Sequence, residues 1–391
     1  MFRSLSSSLF SPRKLYSKAL IDSVLILEPG KIPTTFFYVL PRIPEQLRWK
    51  THIYNSLLKP PHSLRFTPGT WVIIVRHASR LWLKMLQSNS ENLTKVTSIY
   101  DDDIPAVLHA CELPFFYRLR TWWRYTMTRS LLSKVVSEIA LSTQELVNRY
   151  PNTPTLIWEP LYHHWTPPSL LSSKIKKIQK THYKKLTFNW PCSQSSNDTC
   201  LAPVSSAFSS STSNRHDRSK LVYFYHATIT HRHEIKWLHP IVKEVQKILP
   251  DAWFELLGDD SMRKLFYRIP RVRVLPAMNW TDYHYYLGGL KYSLGLAPLI
   301  DTHFNKARSH TKLYQITSAR AAGIFSDLTP YSTKIVHGET GILCKNEPDL
   351  WVKAIVDLLE NNQQRELLHC NAYSSMMRKK ENDLPVITVG E

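Results

Sequence analysis

The sequence predicts an α/β protein made of two Rossmann-like domains that face each other across a cleft. Three observations predict it. Short apolar runs alternate with stretches of helical period, the pattern of a doubly wound parallel sheet. That pattern runs once through residues 21–166 and again through 220–375. Between the two lies a polar stretch, 167–219, with little to bury. At 391 residues, 43% hydrophobic and 21% charged, the chain is too long for one small core and apolar enough for two.

In the first half, Val24-Leu25-Ile26-Leu27 reads as a strand stopped by Glu28-Pro29-Gly30. Trp71 to Val75 is a second strand, ending at Arg76-His77, and Val96 to Tyr100 a third, ending at Asp101-Asp102-Asp103. Glu138 to Leu141 is a fourth, ending at Ser142-Thr143. Residues just past the C-terminal ends of parallel strands line the ligand crevice. Arg76, His77, the three aspartates and Ser142 are therefore expected on one rim.

The character changes at 167–219. Lys174, Lys176, Lys177, Lys180, Lys184 and Lys185 form a cationic run with no acid between Glu159 and Asp198, and CSQSSNDTCLAPVSSAFSSSTSN follows. This is expected to be a basic and Ser-rich linker with an insertion. The lysines read as a solvated helix face, or alternatively as a phosphate or membrane-surface contact.

The second half opens with the strand Leu221 to Tyr225, ending at His226. From Glu234 to Leu249 the apolar residues Ile235, Leu238, Ile241, Val242, Val245 and Ile248 recur three and four apart, which predicts an amphipathic helix. Trp253–Gly258, Val272–Pro276, Ser293–Leu299 and Ala321–Ser326 are further strands, and 376–391 reads as a tail.

Fifty Lys and Arg against 31 Asp and Glu leave a net charge of +19, which attracts polyanions without choosing among nucleic acid, anionic lipid and phosphorylated substrates. The basic residues are not concentrated on a reading module and the aromatics follow no RNA-binding motif, so no nucleic acid is expected. The five cysteines are odd in number and form no CxxC pair, as expected in a reducing, cytoplasmic setting. No run approaches the ~20 apolar residues of a membrane-spanning helix. Residues 1–20, MFRSLSSSLFSPRKLYSKAL, are basic, Ser-rich and acid-free, and read as a solvated tail or a weak surface contact. A peripheral contact with an anionic membrane is thus a partner the charge allows.

The segment Gly295 to Leu359, GLAPLIDTHFNKARSHTKLYQITSARAAGIFSDLTPYSTKIVHGETGILCKNEPDLWVKAIVDLL, resembles the donor half of GT-B glycosyltransferases, within them the family-4-like group 1 enzymes that assemble cell-surface glycans. A strand ending in APL, a loop with FNKARSHTK, a strand ending at a serine before PY, a VHGETGIL hairpin and a helix opening WVKAIVDLL occur in the family's order. SIYDDDIP and IALSTQELVNRY in the first half resemble the same enzymes more loosely. The resemblance covers roughly 24–165 and 220–375. It implies a metal-independent transferase that moves a sugar from a nucleotide diphosphate sugar to a hydroxyl of a glycan or lipid-linked acceptor, with no cofactor beyond the donor.

The chemistry then asks for cations at a departing diphosphate. Arg308 and Lys312 lie where the family places such residues, Ser309 is positioned to cap the following helix and reach a phosphate oxygen, and Arg232 is a second phosphate candidate in the loop HATITHRH. The three histidines of that loop have no clear fourth ligand, so no metal is expected.

On the acceptor side, Asp101, Asp102 and Asp103 raise one another's pKa, which suits a general base. Asp103 with Ile104-Pro105 equally fits a helix N-cap, and both readings can hold. His77 is a further base candidate. The aromatic group Phe115, Phe116, Tyr117, Trp122, Trp123 and Tyr125 is expected in the core rather than as a sugar-stacking platform. The interleaved Arg118, Arg120 and Arg124 are candidates for an anionic acceptor or a membrane surface.

One departure from the family stands out. Where relatives carry a ribose-binding Glu about five residues before a Gly, this chain has Gln315 and Arg320, and Ala307 replaces the upstream acid. Gln315 still hydrogen-bonds a diol, but without charge. The alternative functions are accordingly a non-catalytic GT-B scaffold or a basic polyanion-binding protein.

Overall fold

The computed structural model describes residues 9–12, 16, 20–162, 221–227, 229–288 and 292–382. The Lys-rich run and the Ser-rich linker lie outside the described residues, as does most of the 1–20 tail.

The first half is a sheet of β1 (Ser23–Glu28), β2 (Thr51–Asn55), β3 (Thr70–Val75), β4 (Leu93–Tyr100), β5 (Glu138–Leu141) and β6 (Thr155–Ile157). The order is β2-β1-β3-β4-β5-β6 and every pairing is parallel. Residues 72–75 of β3 are fully buried, as expected of a strand covered on both faces. Helices α1 (Arg80–Ser88), α2 (Phe115–Val135) and α3 (Gln144–Arg149) connect the strands. Ser79 and Thr143 cap α1 and α3 by accepting from the Trp82 and Leu146 amides.

The second half repeats the plan with β7 (Val222–Tyr225), β8 (Trp253–Leu257), β9 (Val272–Leu275), β10 (Leu294–Ala297), β11 (Ala322–Ser326) and β12 (Ile342–Cys344). The order is β12-β11-β10-β7-β8-β9, again all parallel. Its helices are α4 (Arg232–Ile248), α5 (Asp260–Phe266), α6 (Trp280–Gly288), α7 (His303–Lys306), α8 (Thr311–Ser318), α9 (Pro348–Glu360) and α10 (Asn362–Asn382). The apolar stripe of α4 is buried as its period predicts. Gly295 lets β10 and α8 approach closely, since a Cβ there would sit 2.6 Å from Ile316.

Several expectations are corrected. Strands β2, β6 and β12 are too short or too polar to show an apolar run. The VHGETGIL segment is not an antiparallel hairpin: the Gly338 amide, at φ +80°, donates to the Gly341 carbonyl at 2.9 Å, and β12 then runs parallel to β11. Helix α10 passes the expected boundary at 375 and buries Met376. Leu9 and Phe10 pack into the first core, and the Tyr16 hydroxyl donates to the Val135 carbonyl, so these tail residues are not solvated. The aromatic group of α2 divides, with Tyr125 in the core but Phe115, Phe116 and Trp123 on the surface. Among the described residues, no helix is long and apolar enough to cross a membrane.

Sequence periodicity does not announce the wedge between the halves. Thr35–Val39 forms one π-helical turn, wholly buried. From it Phe37 meets Trp280 at 5.3 Å and stacks on Tyr314 at 5.6 Å between ring centroids. One apolar core therefore runs through both halves at this point, and each buried Phe contributes about 1.5–3 kcal/mol.

Candidate functional site

The C-terminal ends of the two sheets face each other across a cleft of about 560 Å³. Because β3, β4 and β5 are neighbours, their ends share a rim, as the sequence predicts. The Ser142 hydroxyl donates to the Asp101 carbonyl at 3.0 Å.

Arg76 and the aspartates build the first wall. Arg76 adopts φ +60° immediately after β3, a left-handed conformation that costs a non-glycine residue about 1 kcal/mol. The bend aims its guanidinium at Asp101, which it grips through two nitrogens, and at Asp102, 3.1 Å away. Thr34 also donates to Asp101 at 2.6 Å. Burial works against the Asp101 charge, but Arg76 and Thr34 outweigh it and hold this carboxyl below its usual range. Asp102 goes the other way: burial, reinforced by Asp101 and Asp103, raises it despite Arg76 and Arg308. Two adjacent carboxylates are thus driven apart, which separates an ionised anchor from a proton-accepting group.

The other two acceptor-side candidates do not line the cleft. Asp103 accepts from Arg149 at 2.9 Å and from the Tyr150 hydroxyl, and caps the following turn at the Ala106 amide, 3.2 Å away. Its capping reading holds, for a turn rather than an α-helix. His77 is buried, and burial followed by the Arg76 and Arg124 charges lowers its pKa to about 3. It is neutral at pH 7, and its Nδ1 has no hydrogen-bond partner.

The opposite wall is cationic. Arg308 lies over the Phe304 ring, with Nη1 3.2 Å from the His231 ring nitrogens and Nε 3.6 Å from Asp102. His231 is lowered to about 4 by burial and by Arg308. Lys312 Nζ donates to the His226 carbonyl and, at 3.0 Å, to Gln315 Oε1, and lies 5.5 Å from the centre of the Tyr225 ring. Burial and the Arg308 charge lower Lys312 to about 7.

The structure brings Arg308, Ser309, Lys312 and Gln315 together in the cleft. Ser309 does not cap α8. Its hydroxyl meets Tyr38 from the other half, and the N-cap is His310, which makes no side-chain cap hydrogen bond. Arg232 lies outside the cleft: as the first residue of α4 it turns to Ser261, 2.7 Å away, and Asp259, 3.4 Å away. Thr230 and His231 take the place expected for it.

Sequence reasoning missed several cleft residues. Tyr38, on the π-turn, carries no sequence signal, and Tyr117 of α2, expected in the core with the other aromatics of that helix, lines the cleft instead. Beneath the cleft His226 bonds Tyr283 at 3.2 Å and Glu255 at 3.1 Å, and Glu255 also accepts from Tyr286, Tyr292 and Arg273. This network fixes the His226 backbone whose carbonyl holds Lys312. Among the described residues, no group of three or more His, Cys, Asp or Glu is placed to hold a metal ion.

In sequence, no family model and no curated protein matches the chain. Solved structures match its fold. HepE from Anabaena, crystallised with UDP and glucose, is similar at a TM-score of 0.51 and 12% identity, over 92% of this chain and 95% of HepE. Sucrose-phosphate synthase from Thermosynechococcus elongatus is similar at 0.50 and 9% identity, over 91% and 94% of the two chains. A TarM variant from S. aureus gives 0.48 and 11% identity over 81% of this chain, which spans about half of TarM, 53%. At such identities the likeness is one of fold. Two six-stranded parallel sheets facing each other, in the arrangement of HepE, give this chain the GT-B fold of group 1 glycosyltransferases.

Proposed function

We propose that the protein transfers a glycosyl unit from a nucleotide diphosphate sugar to a hydroxyl of a glycan or lipid-linked acceptor in cell-surface polysaccharide assembly. The observation that carries this reading is the pairing of two walls. Arg308, Lys312 and the N-terminus of α8 converge on one side, and a carboxyl of raised pKa stands on the other. Cations and helix amides suit the negative charge that builds on a departing nucleoside diphosphate, and supply that stabilisation without a metal. Asp102 then accepts the proton of the attacking hydroxyl, with Asp101 and Arg76 fixing its position. Gln315 meets the ribose as an uncharged partner. Complexes of HepE with UDP and glucose make UDP the first nucleotide to try. We place the reaction in a reducing, cytoplasmic setting.

The test is thermal stabilisation by a panel of nucleoside diphosphates and their sugars, on wild type, Arg308→Ala and Lys312→Ala. A ligand at a hundred times its Kd stabilises by about 2.7 kcal/mol, which is readily seen as a Tm shift. A shift selective for one nucleotide and lost in both variants is expected. A second reading, a non-catalytic scaffold of the same fold, is favoured by Gln315 and Arg320, which stand where the family resemblance implies a Glu and a Gly. Stabilisation by no member of the panel would move that reading ahead.

A further inference from the structure

Helix α2 is apolar on two opposite faces. Thr121, Tyr125, Thr128, Leu132 and Val135 are buried against the first sheet. Phe115, Phe116, Leu119, Trp123 and Met127 are exposed, Phe116 by 82% and Trp123 by 55%. At 100° per residue these five fall within an arc of ~120° and form a stripe about 18 Å long. A surface helix of a soluble domain ordinarily turns a polar face to water. Here the water-facing side carries large rings, and contiguous exposed apolar surface of this kind marks an interaction site.

The flanks of the stripe indicate what covers it. Arg118 borders one side and lies over the Phe115 ring at 5.7 Å. Arg120 and Arg124 border the other, with no acidic partner among the described residues. Burial and then the neighbouring Arg120 lower the Arg124 pKa, so this edge of the helix favours a negative counter-charge. Aromatic and aliphatic side chains in one stripe with arginines along both edges match an interfacial helix, which buries its apolar face at the headgroup boundary and meets anionic headgroups with its cations.

We propose that the solvent face of α2 docks the protein on an anionic lipid bilayer through Phe115, Phe116, Leu119, Trp123 and Met127, with Arg120 and Arg124 on the headgroups. Tyr117 of the same helix lines the cleft, so docking brings the reaction site to the lipid surface. That last step rests on the transfer reading and selects a lipid-linked acceptor over a soluble glycan. Docking itself does not depend on it.

Flotation of the full chain, without nucleotide, on vesicles of phosphatidylcholine alone and of phosphatidylcholine with 30 mol% phosphatidylglycerol tests this, the anionic content being an order-of-magnitude match to cytoplasmic leaflets. The wild type is expected on the anionic vesicles, at least ~10-fold above the neutral ones. Arg120→Glu/Arg124→Glu and Phe116→Ser/Trp123→Ser should each weaken binding about tenfold or more while keeping the wild-type melting transition. Lys236→Glu/Lys243→Glu makes the same charge change on exposed α4 positions in the other half, and should change binding by less than about twofold. Equal loss in the α4 variant would assign the attraction to diffuse charge and overturn the proposal. So would wild-type binding no better on anionic than on neutral vesicles. A wild-type dimer in sedimentation that Phe116→Ser/Trp123→Ser converts to monomer would assign the face to a second copy and overturn it too. UDP stabilisation, measured separately, reports on the transfer reading alone.

Discussion

Arg308, on the loop before α8, reaches across the cleft to within 3.6 Å of Asp102 at the end of β4. The residue proposed to hold donor phosphates is thus partly neutralised by the residue proposed to accept the acceptor's proton. On the transfer reading, a diphosphate entering the cleft would compete with Asp102 for this guanidinium and free Asp102 to face the acceptor. Asp102→Asn should therefore separate binding from chemistry. Nucleotide affinity is expected to hold or rise by a few fold, while kcat falls by about 10²–10⁴. Calorimetric Kd values beside initial rates check this, and an unchanged kcat would remove Asp102 from the chemistry.

Removing the cation has the opposite signature. Hydrogen bonds to a charged partner are worth about 1.5–3 kcal/mol, so Arg308→Gln should weaken nucleoside diphosphate binding roughly 10- to 150-fold. The uncharged nucleoside should bind both proteins alike. The variant also removes one of the two groups, His231 and Arg308, that favour the Glu234 charge against its burial, so a lower Tm is expected alongside.

If the cleft takes a nucleoside diphosphate as proposed, Lys312 should make its binding pH-dependent near neutrality. Burial, helped by Arg308, lowers it to about 7, and an arriving phosphate restores the charged form. The depressed value means that the unligated site loses its proton as pH rises through about 7, and that binding takes one up above it. Affinity for a nucleoside diphosphate should be constant below pH 6.5 and fall from pH 7 to 9, at up to about tenfold per unit. In Lys312→Met that slope should vanish and affinity settle near the wild-type value at high pH. Titrations in buffers of different ionisation enthalpy measure the proton uptake directly.

The wedge of Thr35–Val39 ties the halves together. Phe37→Ala leaves a void between Trp280 and Tyr314 and should cost about 3–5 kcal/mol. Because those partners belong to the other half, the loss should appear as two resolved unfolding transitions in calorimetry. A single transition with an unchanged Tm would show that the wedge does not couple the halves.

Legibility in the sequence followed burial. Strands covered on both faces, such as residues 72–75, are unbroken apolar runs and were readable one by one. Edge strands β2 and β6 need only one neighbour, and their polar or brief sequences carry no period. Arg308, Lys312 and Gln315 were readable because they sit in an ordered motif, and they do share the cleft. Arg232 was misplaced because topology gives a loop's location but not which of its side chains turns inward. Tyr38 was invisible because a π-turn has neither period. Arg320 is instructive in another way. It adopts φ +57°, the left-handed conformation glycine favours, at the position where the family resemblance implies a Gly.

Glu28 supplies a stability test independent of any ligand. It ends β1, is buried, and accepts from Thr35 at 2.5 Å at the start of the wedge. Burial raises its pKa from 4.5 to about 7, against the opposing Thr35 hydrogen bond, the Ile32 amide and Lys31. With a folded pKa above the unfolded one, its contribution is complete below pH 4.5 and is lost as pH rises through 7. Lys312, depressed in the fold, works in the opposite direction above pH 7, so the wild-type profile mixes the two. The difference between wild type and Glu28→Gln isolates the carboxyl. The variant should match the wild type within about 0.5 kcal/mol at pH 5 and exceed it by on the order of 2 kcal/mol at pH 8.5. Urea unfolding at the two pH values measures this, and a difference that does not change with pH would mean that Glu28 is ionised in the fold throughout.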